Sequence, residues 1–146
     1  MTAPTTGRPR WIWLVAHHGP DEEHHCLRLP LGPQGIPVCA RCLALYPTMA
    51  AVIAVDLAHR PIPTGARWLV AFAAVAPALI DWSRTRLFES RGSSGTRLVT
   101  GALAGIGLGL ALADHLRNPR EPWVWALLGV VAAIVLLVLH VSRAPS

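Results

Sequence analysis

The sequence predicts an all-α membrane protein: a bundle of about four transmembrane helices, preceded by a loop segment rich in cysteine and histidine. The hydrophobic fraction of the 146 residues is 53% and the charged fraction is only 14%, whereas soluble domains are about 25% charged. The charges are also concentrated in short connectors between long uncharged stretches. Too few polar side chains remain to cover the surface of a single soluble domain of this length.

Four apolar segments are candidate spans, at residues 42–58, 68–82, 98–113 and 123–141. A helix needs roughly 20 residues, within a range of about 17–25, to cross the hydrocarbon core. The fourth segment meets this length unaided. The other three are slightly short, so we expect flanking Trp and Arg side chains or local thinning of the bilayer to help them.

The chain divides into four regions around these segments. We assign residues 1–16 to a tail with an interfacial Trp anchor, because its apolar patch is too short for a signal-peptide core. Residues 17–42 form the Cys/His-rich segment, a candidate metal-binding region. Residues 43–141 form the four-helix bundle, and residues 142–146 form a second tail.

The third apolar segment carries a stripe of small residues, Gly101, Gly105 and Gly109. Glycines four residues apart share one helix face and let another helix approach closely. We expect the stripe to pack within the bundle. The alternative is a seam for a homo-oligomer or for a partner membrane protein.

The arginines indicate the orientation and the environment. All basic residues are arginines, and they bracket the apolar segments without forming a stripe on one helix. The pattern therefore favours a lipid bilayer and excludes nucleic acid as a partner. Nine arginines fall on the side of the N-terminus and four on the other, which predicts a cytoplasmic N-terminus and cysteine cluster at the plasma membrane. The nine are Arg8, Arg10, Arg28, Arg41, Arg84, Arg86, Arg91, Arg97 and Arg143, and the four are Arg60, Arg67, Arg117 and Arg120.

The residues with metal-binding chemistry are concentrated in the segment before the first span. Cys39 and Cys42 form a C-x-x-C pair, the spacing with which two thiolates of one turn bind a tetrahedral metal ion. Cys26 lies thirteen residues before Cys39, across a turn rich in Pro and Gly. One histidine would complete a Cys₃His set for zinc or another transition metal. The candidate histidines are His17, His18, His24 and His25.

Two other interpretations of this segment remain open. Cys39 and Cys42 could be a thiol–disulfide pair with Cys26 as a third thiol, although a cytoplasmic location disfavours a stable disulfide. Alternatively, the cysteines are reduced residues beside an interfacial loop that binds no ligand. Arg41 would stabilise thiolates in either chemistry, and it is also an ordinary positive flank of the first span.

Two blocks of residues resemble a known family. The stretch from Pro37 to Tyr46, PVCARCLALY after Cys26, resembles the P-x-C-A-R-C-x-G-x-Y signature of the domain of unknown function 2085 family of small predicted membrane proteins. Asp81, followed by the RLVTG stretch from Arg97 to Gly101, is similar to the second block of that family. The resemblance runs from about His17 to Gly109 and implies a multi-pass membrane protein with a cysteine-rich face, without an activity. Ala44 stands where the family commonly has Gly, and Leu27 stands where many members have His.

Several ionisable residues flank the spans. We expect Asp81 and Arg97 at the face that carries the cysteines, where Asp81 forms a salt bridge with Arg84 or Arg97. Alternatively, Asp81 orients a ligating histidine or accepts a proton. At the opposite face we expect solvated helix caps, with a second polar cluster as the alternative; these residues are Asp56, His59, Asp114 and His115.

Three functional hypotheses follow from the sequence. They are a metal-binding membrane protein, a membrane thiol–disulfide oxidoreductase, and a non-catalytic subunit or carrier that packs a partner helix. The sequence contains no nucleotide-binding loop and no recognisable catalytic triad, and it names no reaction.

Overall fold

A computed structural model describes residues 26–30, 36–88 and 93–143 of the protein. Within them, two short antiparallel strands precede four helices. The strands are β1 (Cys26–Leu29) and β2 (Ile36–Cys39), and the helices are α1 (Ala40–His59), α2 (Thr64–Leu87), α3 (Ser94–Arg117) and α4 (Pro122–Arg143).

All four helices are long and apolar enough to cross a membrane, by length and composition. The predicted fold class, a bundle of about four transmembrane helices after a cysteine-rich segment, is confirmed. The three short apolar stretches lie within helices of 20, 24 and 24 residues, and the fourth lies within a helix of 22 residues. Each continues past its apolar stretch into polar residues, and several of these side chains find partners inside the bundle.

Successive helices run in opposite directions, which gives the bundle two polar ends. The start of α1 lies beside the end of α2 and the start of α3, and we call this end the cysteine face. The end of α1, the start of α2 and the end of α3 meet at the other end, which we call the opposite face. Arg60 ends α1 in the left-handed conformation, with φ 46° and ψ 58°, and Ser93 caps α3 by accepting a hydrogen bond from the Thr96 amide at 3.1 Å.

Helix α3 lies at the centre of the bundle. Its glycine stripe faces α1, so closely that a Cβ atom built on Gly101 would lie 2.4 Å from the Arg41 carbonyl oxygen. A Cβ on Gly105 would lie 2.5 Å from the Leu45 carbonyl oxygen, and one on Gly109 would lie 2.9 Å from the Val52 side chain. The stripe is therefore occupied by α1 of the same chain.

The fourth helix attaches through apolar side chains. A core cluster joins Val124 and Leu127 of α4 to Ala71 and Val75 of α2 and to Ala111 of α3. Many large apolar side chains point outward from the bundle. In a membrane this outer surface contacts lipid tails, which are as apolar as the side chains themselves.

Candidate functional site

The strand pair places two cysteines directly opposite each other. Cys26 pairs with Cys39 in the antiparallel register of β1 and β2. Side chains of directly opposite residues project from the same face of a sheet, and their Cα atoms are roughly 4.5–5.5 Å apart. The register therefore brings Cys26 back to the C-x-x-C pair across thirteen residues of sequence.

The start of α1 adds the third cysteine. Cys39 ends β2 and is the N-cap of α1, and Cys42 lies in the first helical turn, so the two are three residues apart on one side of the helix. The Cys42 thiol is close enough to Cys39, Arg41 and Cys26 for their charges to act on it. Cys39 is buried, whereas Cys26 and Cys42 are half-buried. We call Cys26, Cys39 and Cys42 the thiol cluster.

The cluster is not arranged as a metal site. Within the part of the chain that the structure describes, no group of three or more His, Cys, Asp or Glu side chains is placed to hold a metal ion. The four predicted histidine ligands, His17, His18, His24 and His25, lie outside the described residues. The structure thus brings the three predicted cysteines together, and the ligand set stays a prediction.

An ion pair lies next to the thiol cluster. Arg41 donates a hydrogen bond to Asp81, with both side chains largely buried, and this bond ties the start of α1 to α2. We expected Arg84 or Arg97 to be the partner of Asp81. The observed pair differs because Arg41 lies in the first turn of α1, at the level where α2 returns to the cysteine face. Arg97 of α3 is buried at the same end.

A second polar cluster lies at the opposite face and is centred on Arg67. The Arg67 side chain is fully buried. Its Nη1 and Nη2 donate to the two carboxylate oxygens of Asp56 at 2.7 and 2.8 Å, and its Nε donates to Asp114 Oδ2 at 2.7 Å. A bidentate arginine–carboxylate pair is a strong and directional interaction. Here it joins α1 to α2, and the bond to Asp114 adds α3.

Arg117 completes this ion network. Its Nη1 donates to Asp56 Oδ2 and its Nη2 donates to the Asp56 carbonyl oxygen, both at 2.5 Å. The expectation that Asp56 and Asp114 are solvated caps is wrong, since they are only 1% and 5% exposed. His59 is exposed, and the His115 ring stacks edge-on against Trp125 at 5.6 Å.

Sequence reasoning treated Arg67 as a loop charge and so missed the centre of the network. A signal was present in the spacing. Asp56 and Asp114 each precede the last residue of a helix by three positions, and Arg67 follows the first residue of α2 by three positions. Because consecutive spans are antiparallel, such residues fall at the same depth on the same side of the membrane.

Comparison with known proteins gives one result that bears on identity. No curated protein and no solved structure matches the chain. A family model described as "Predicted membrane protein (DUF2085)" matches residues 28–111. The match includes Cys39 and Cys42, Asp81 and the glycine stripe, whereas Cys26 and all of α4 lie beyond its ends. Since it covers more than half of the 146 residues, the chain belongs to the DUF2085 family of predicted membrane proteins.

Proposed function

We propose that this membrane protein binds a thiophilic transition metal ion, zinc in the first instance, through the three sulfurs of the thiol cluster. The observation that carries the proposal is the strand register, which sets Cys26 opposite Cys39 at the first turn of α1. Three cysteines from two separate stretches of sequence thereby meet at one end of the bundle. A histidine from the preceding segment would supply the fourth ligand of a tetrahedral site.

Metal binding would require the sulfurs of the thiol cluster to move. The described residues hold no group that is already placed around a metal ion, so the Cys26 and Cys42 sulfurs must close around Cys39. Both residues are half-buried, and Cys26 belongs to a strand of only four residues. The free energy of zinc binding, about 10–16 kcal/mol in small zinc peptides, is ample for such a rearrangement.

A site of this composition has a structural role. Four protein ligands leave no open coordination position for a substrate. The metal ion would fix the segment before α1 to the end of the bundle, where the Arg41–Asp81 pair already holds α1 against α2. The proposed function is therefore structural: the bound metal ion would order a cysteine-rich surface at one face of the membrane.

We further propose that this face is cytoplasmic and that the membrane is the plasma membrane. Arginine is more abundant on the cysteine side, by nine to four. Arg67 and Arg117 on the opposite side and Arg41 on the cysteine side are bonded to carboxylates. Without these three paired arginines the excess is eight to two. Fusions of a cytoplasmic fluorescent reporter and of a periplasmic phosphatase to the C-terminus test this orientation. Activity of the phosphatase fusion alone would reverse it.

The metal hypothesis is tested by elemental analysis of protein purified in detergent without chelators. We expect one zinc ion per chain, lost in each of the variants Cys26→Ser, Cys39→Ser and Cys42→Ser. His140→Ala is the matched control, because His140 is exposed near the end of α4 and should leave the zinc content unchanged. Helix content measured by circular dichroism shows whether each variant is folded. A folded wild-type protein that takes up no metal, even from added zinc under reducing conditions, would contradict the proposal.

A second candidate function is thiol–disulfide exchange, favoured by the central position of Cys39. It faces Cys26 across the strands and Cys42 along the helix, so it could form a disulfide with either. In the exchange, two thiols of the cluster become a disulfide while a partner disulfide is reduced to two thiols. Equilibration in glutathione buffers, with disulfides mapped by mass spectrometry, tests this function. The glutathione reduction potential is varied from about −320 to −180 mV, the range between cytosolic and oxidising compartments. Thiols that stay reduced over this whole range would exclude thiol–disulfide exchange.

A further inference from the structure

A polar pocket of about 190 Å³ opens at the opposite face of the bundle. It lies between the end of α1, the start of α2 and the turn that joins α3 to α4. We propose that this pocket binds the phosphoethanolamine headgroup of a membrane phospholipid, and we call it the headgroup pocket. Its lining residues are Arg60, Thr64, Asp114, Arg117, Asn118 and Glu121.

The first argument is a buried carboxylate oxygen that lacks a donor. Asp114 Oδ2 accepts from Arg67. Asp114 Oδ1 is buried without a hydrogen bond from any described residue. Its nearest cationic atoms are Arg117 Nη1 at 3.7 Å and Arg60 Nη2 at 4.0 Å, which is too far for hydrogen bonds. Buried acceptors are normally satisfied, so the group that fills this pocket should carry an N–H or an O–H.

The second argument is the position of Arg60. A residue other than glycine rarely adopts positive φ, and a helix end in this conformation usually carries glycine. Arg60 nevertheless adopts it, with φ 46°, and the long side chain at this position reaches the pocket. Its side chain is about half exposed. Among the described residues it makes no hydrogen bond to a carboxylate, so its planar donors are available to a phosphate.

The third argument is charge balance at the membrane surface. Two arginines and two carboxylates line the pocket, and Glu121 is held by a hydrogen bond from Asn118 Nδ2 at 3.0 Å. Such a pocket matches a zwitterion better than a net anion, and the two guanidinium groups disfavour a metal cation. The pocket also lies at the ends of membrane-spanning helices, the level of lipid headgroups. Ethanolamine carries N–H donors for Asp114 Oδ1, whereas choline carries none.

The test is lipid retention measured by native mass spectrometry of the detergent-purified protein, with phosphatidylethanolamine and phosphatidylcholine of identical acyl chains in equal amounts. We expect preferential retention of phosphatidylethanolamine. Arg60→Gln should weaken it by about tenfold, the effect of losing one charge-assisted hydrogen bond. Arg120→Gln is the matched control, because Arg120 is an exposed arginine of the same turn that does not line the pocket, and it should change nothing.

Methylated lipids test the role of the N–H group. The N-methyl and N,N-dimethyl forms of phosphatidylethanolamine keep at least one N–H, so retention should persist for both and fall at the third methyl group. Equal retention of phosphatidylethanolamine and phosphatidylcholine would overturn the proposal, as would equal losses in Arg60→Gln and Arg120→Gln. Soluble phosphoethanolamine distinguishes the source of the headgroup. Binding of this compound by a protein that shows no preference among the lipids would overturn the assignment to lipid. These outcomes are independent of metal binding, because the thiol cluster lies at the other end of the bundle.

Discussion

The glycine stripe of α3 gives a sharp test of the packing, through the substitution Gly105→Ala. A Cβ at this position would lie 2.5 Å from the Leu45 carbonyl oxygen, 3.0 Å from Thr48 Cβ and 3.1 Å from the Met49 amide nitrogen. Ordinary contact begins at 3.4 Å, so α1 must withdraw by about 0.9 Å. Two of the three contacted atoms are backbone atoms, and rotation of a side chain cannot relieve the overlap.

The expected change in the free energy of unfolding follows from two opposed effects. Alanine favours the helix over glycine by about 1 kcal/mol, whereas overpacking a well-packed interior costs about 1–3 kcal/mol. A gap of 0.5–1 Å also removes roughly a quarter to a half of the dispersion energy of the contacts around it. In lipid, dispersion contacts are a principal source of helix association. We therefore expect Gly105→Ala to lower the free energy of unfolding by about 1–2 kcal/mol.

Gly129→Ala is the matched control for this prediction. Gly129 lies within α4, and a Cβ built there meets nothing within 4 Å. The control should therefore leave stability unchanged or raise it by up to about 1 kcal/mol. Both variants can be unfolded by SDS in mixed micelles and followed by tryptophan fluorescence. If Gly105→Ala is as stable as Gly129→Ala, the close approach of α1 and α3 is refuted.

Three further predictions test the polar groups of the bundle in the same unfolding assay. Arg67→Ala should lower stability by about 3–5 kcal/mol, because buried Asp114 loses its hydrogen-bond donor and buried Asp56 keeps only Arg117. Arg120→Ala, at an exposed position, should stay within about 0.5 kcal/mol of wild type. Similar losses in both variants would contradict the network. Arg41→Gln and Asp81→Asn should each lower the free energy of unfolding. A double-mutant cycle should give a coupling energy of at least about 1 kcal/mol between the two positions. Additive losses would show that the pair does not interact. Trp123→Phe should change stability by less than about 1 kcal/mol, because the buried indole N–H lacks a hydrogen-bond partner among the described residues. A loss of about 2 kcal/mol or more would contradict this expectation.

The fold was predictable because bilayer thickness and hydropathy constrain it strongly. Four apolar stretches of roughly the right length permit few arrangements in a chain of 146 residues. The helix ends were not predictable from hydropathy, since a helix continues for as long as its polar side chains find partners. Arg67 and Asp114 are charged and fully or nearly fully buried, and each lies inside a helix that is longer than its apolar stretch.

The thiol cluster and the ion network were predictable only in part, because both depend on contacts between separate segments of the chain. The C-x-x-C spacing identified Cys39 and Cys42, and a turn rich in Pro and Gly indicated that Cys26 could return to them. The register that pairs Cys26 with Cys39 depends on backbone hydrogen bonds between two four-residue strands, which leave no periodic signal in so short a stretch. The Arg67 network depends on residues from three helices at equal depth, and a reading of one segment at a time does not bring them together.

The polar links and the glycine stripe together explain how the central part of the bundle is held without a hydrophobic driving force. Lipid tails solvate apolar side chains as well as other helices do, so association within the bilayer depends on close packing and on polar contacts. Helices α1 and α3 approach closely along the stripe. Arg41 and Asp81 join α1 to α2 at one end, and Arg67 joins all three helices at the other. Helix α4 attaches through the apolar residues of the core cluster. Its packing should therefore be the weakest in the bundle, because exchanging those contacts for lipid tails costs the least.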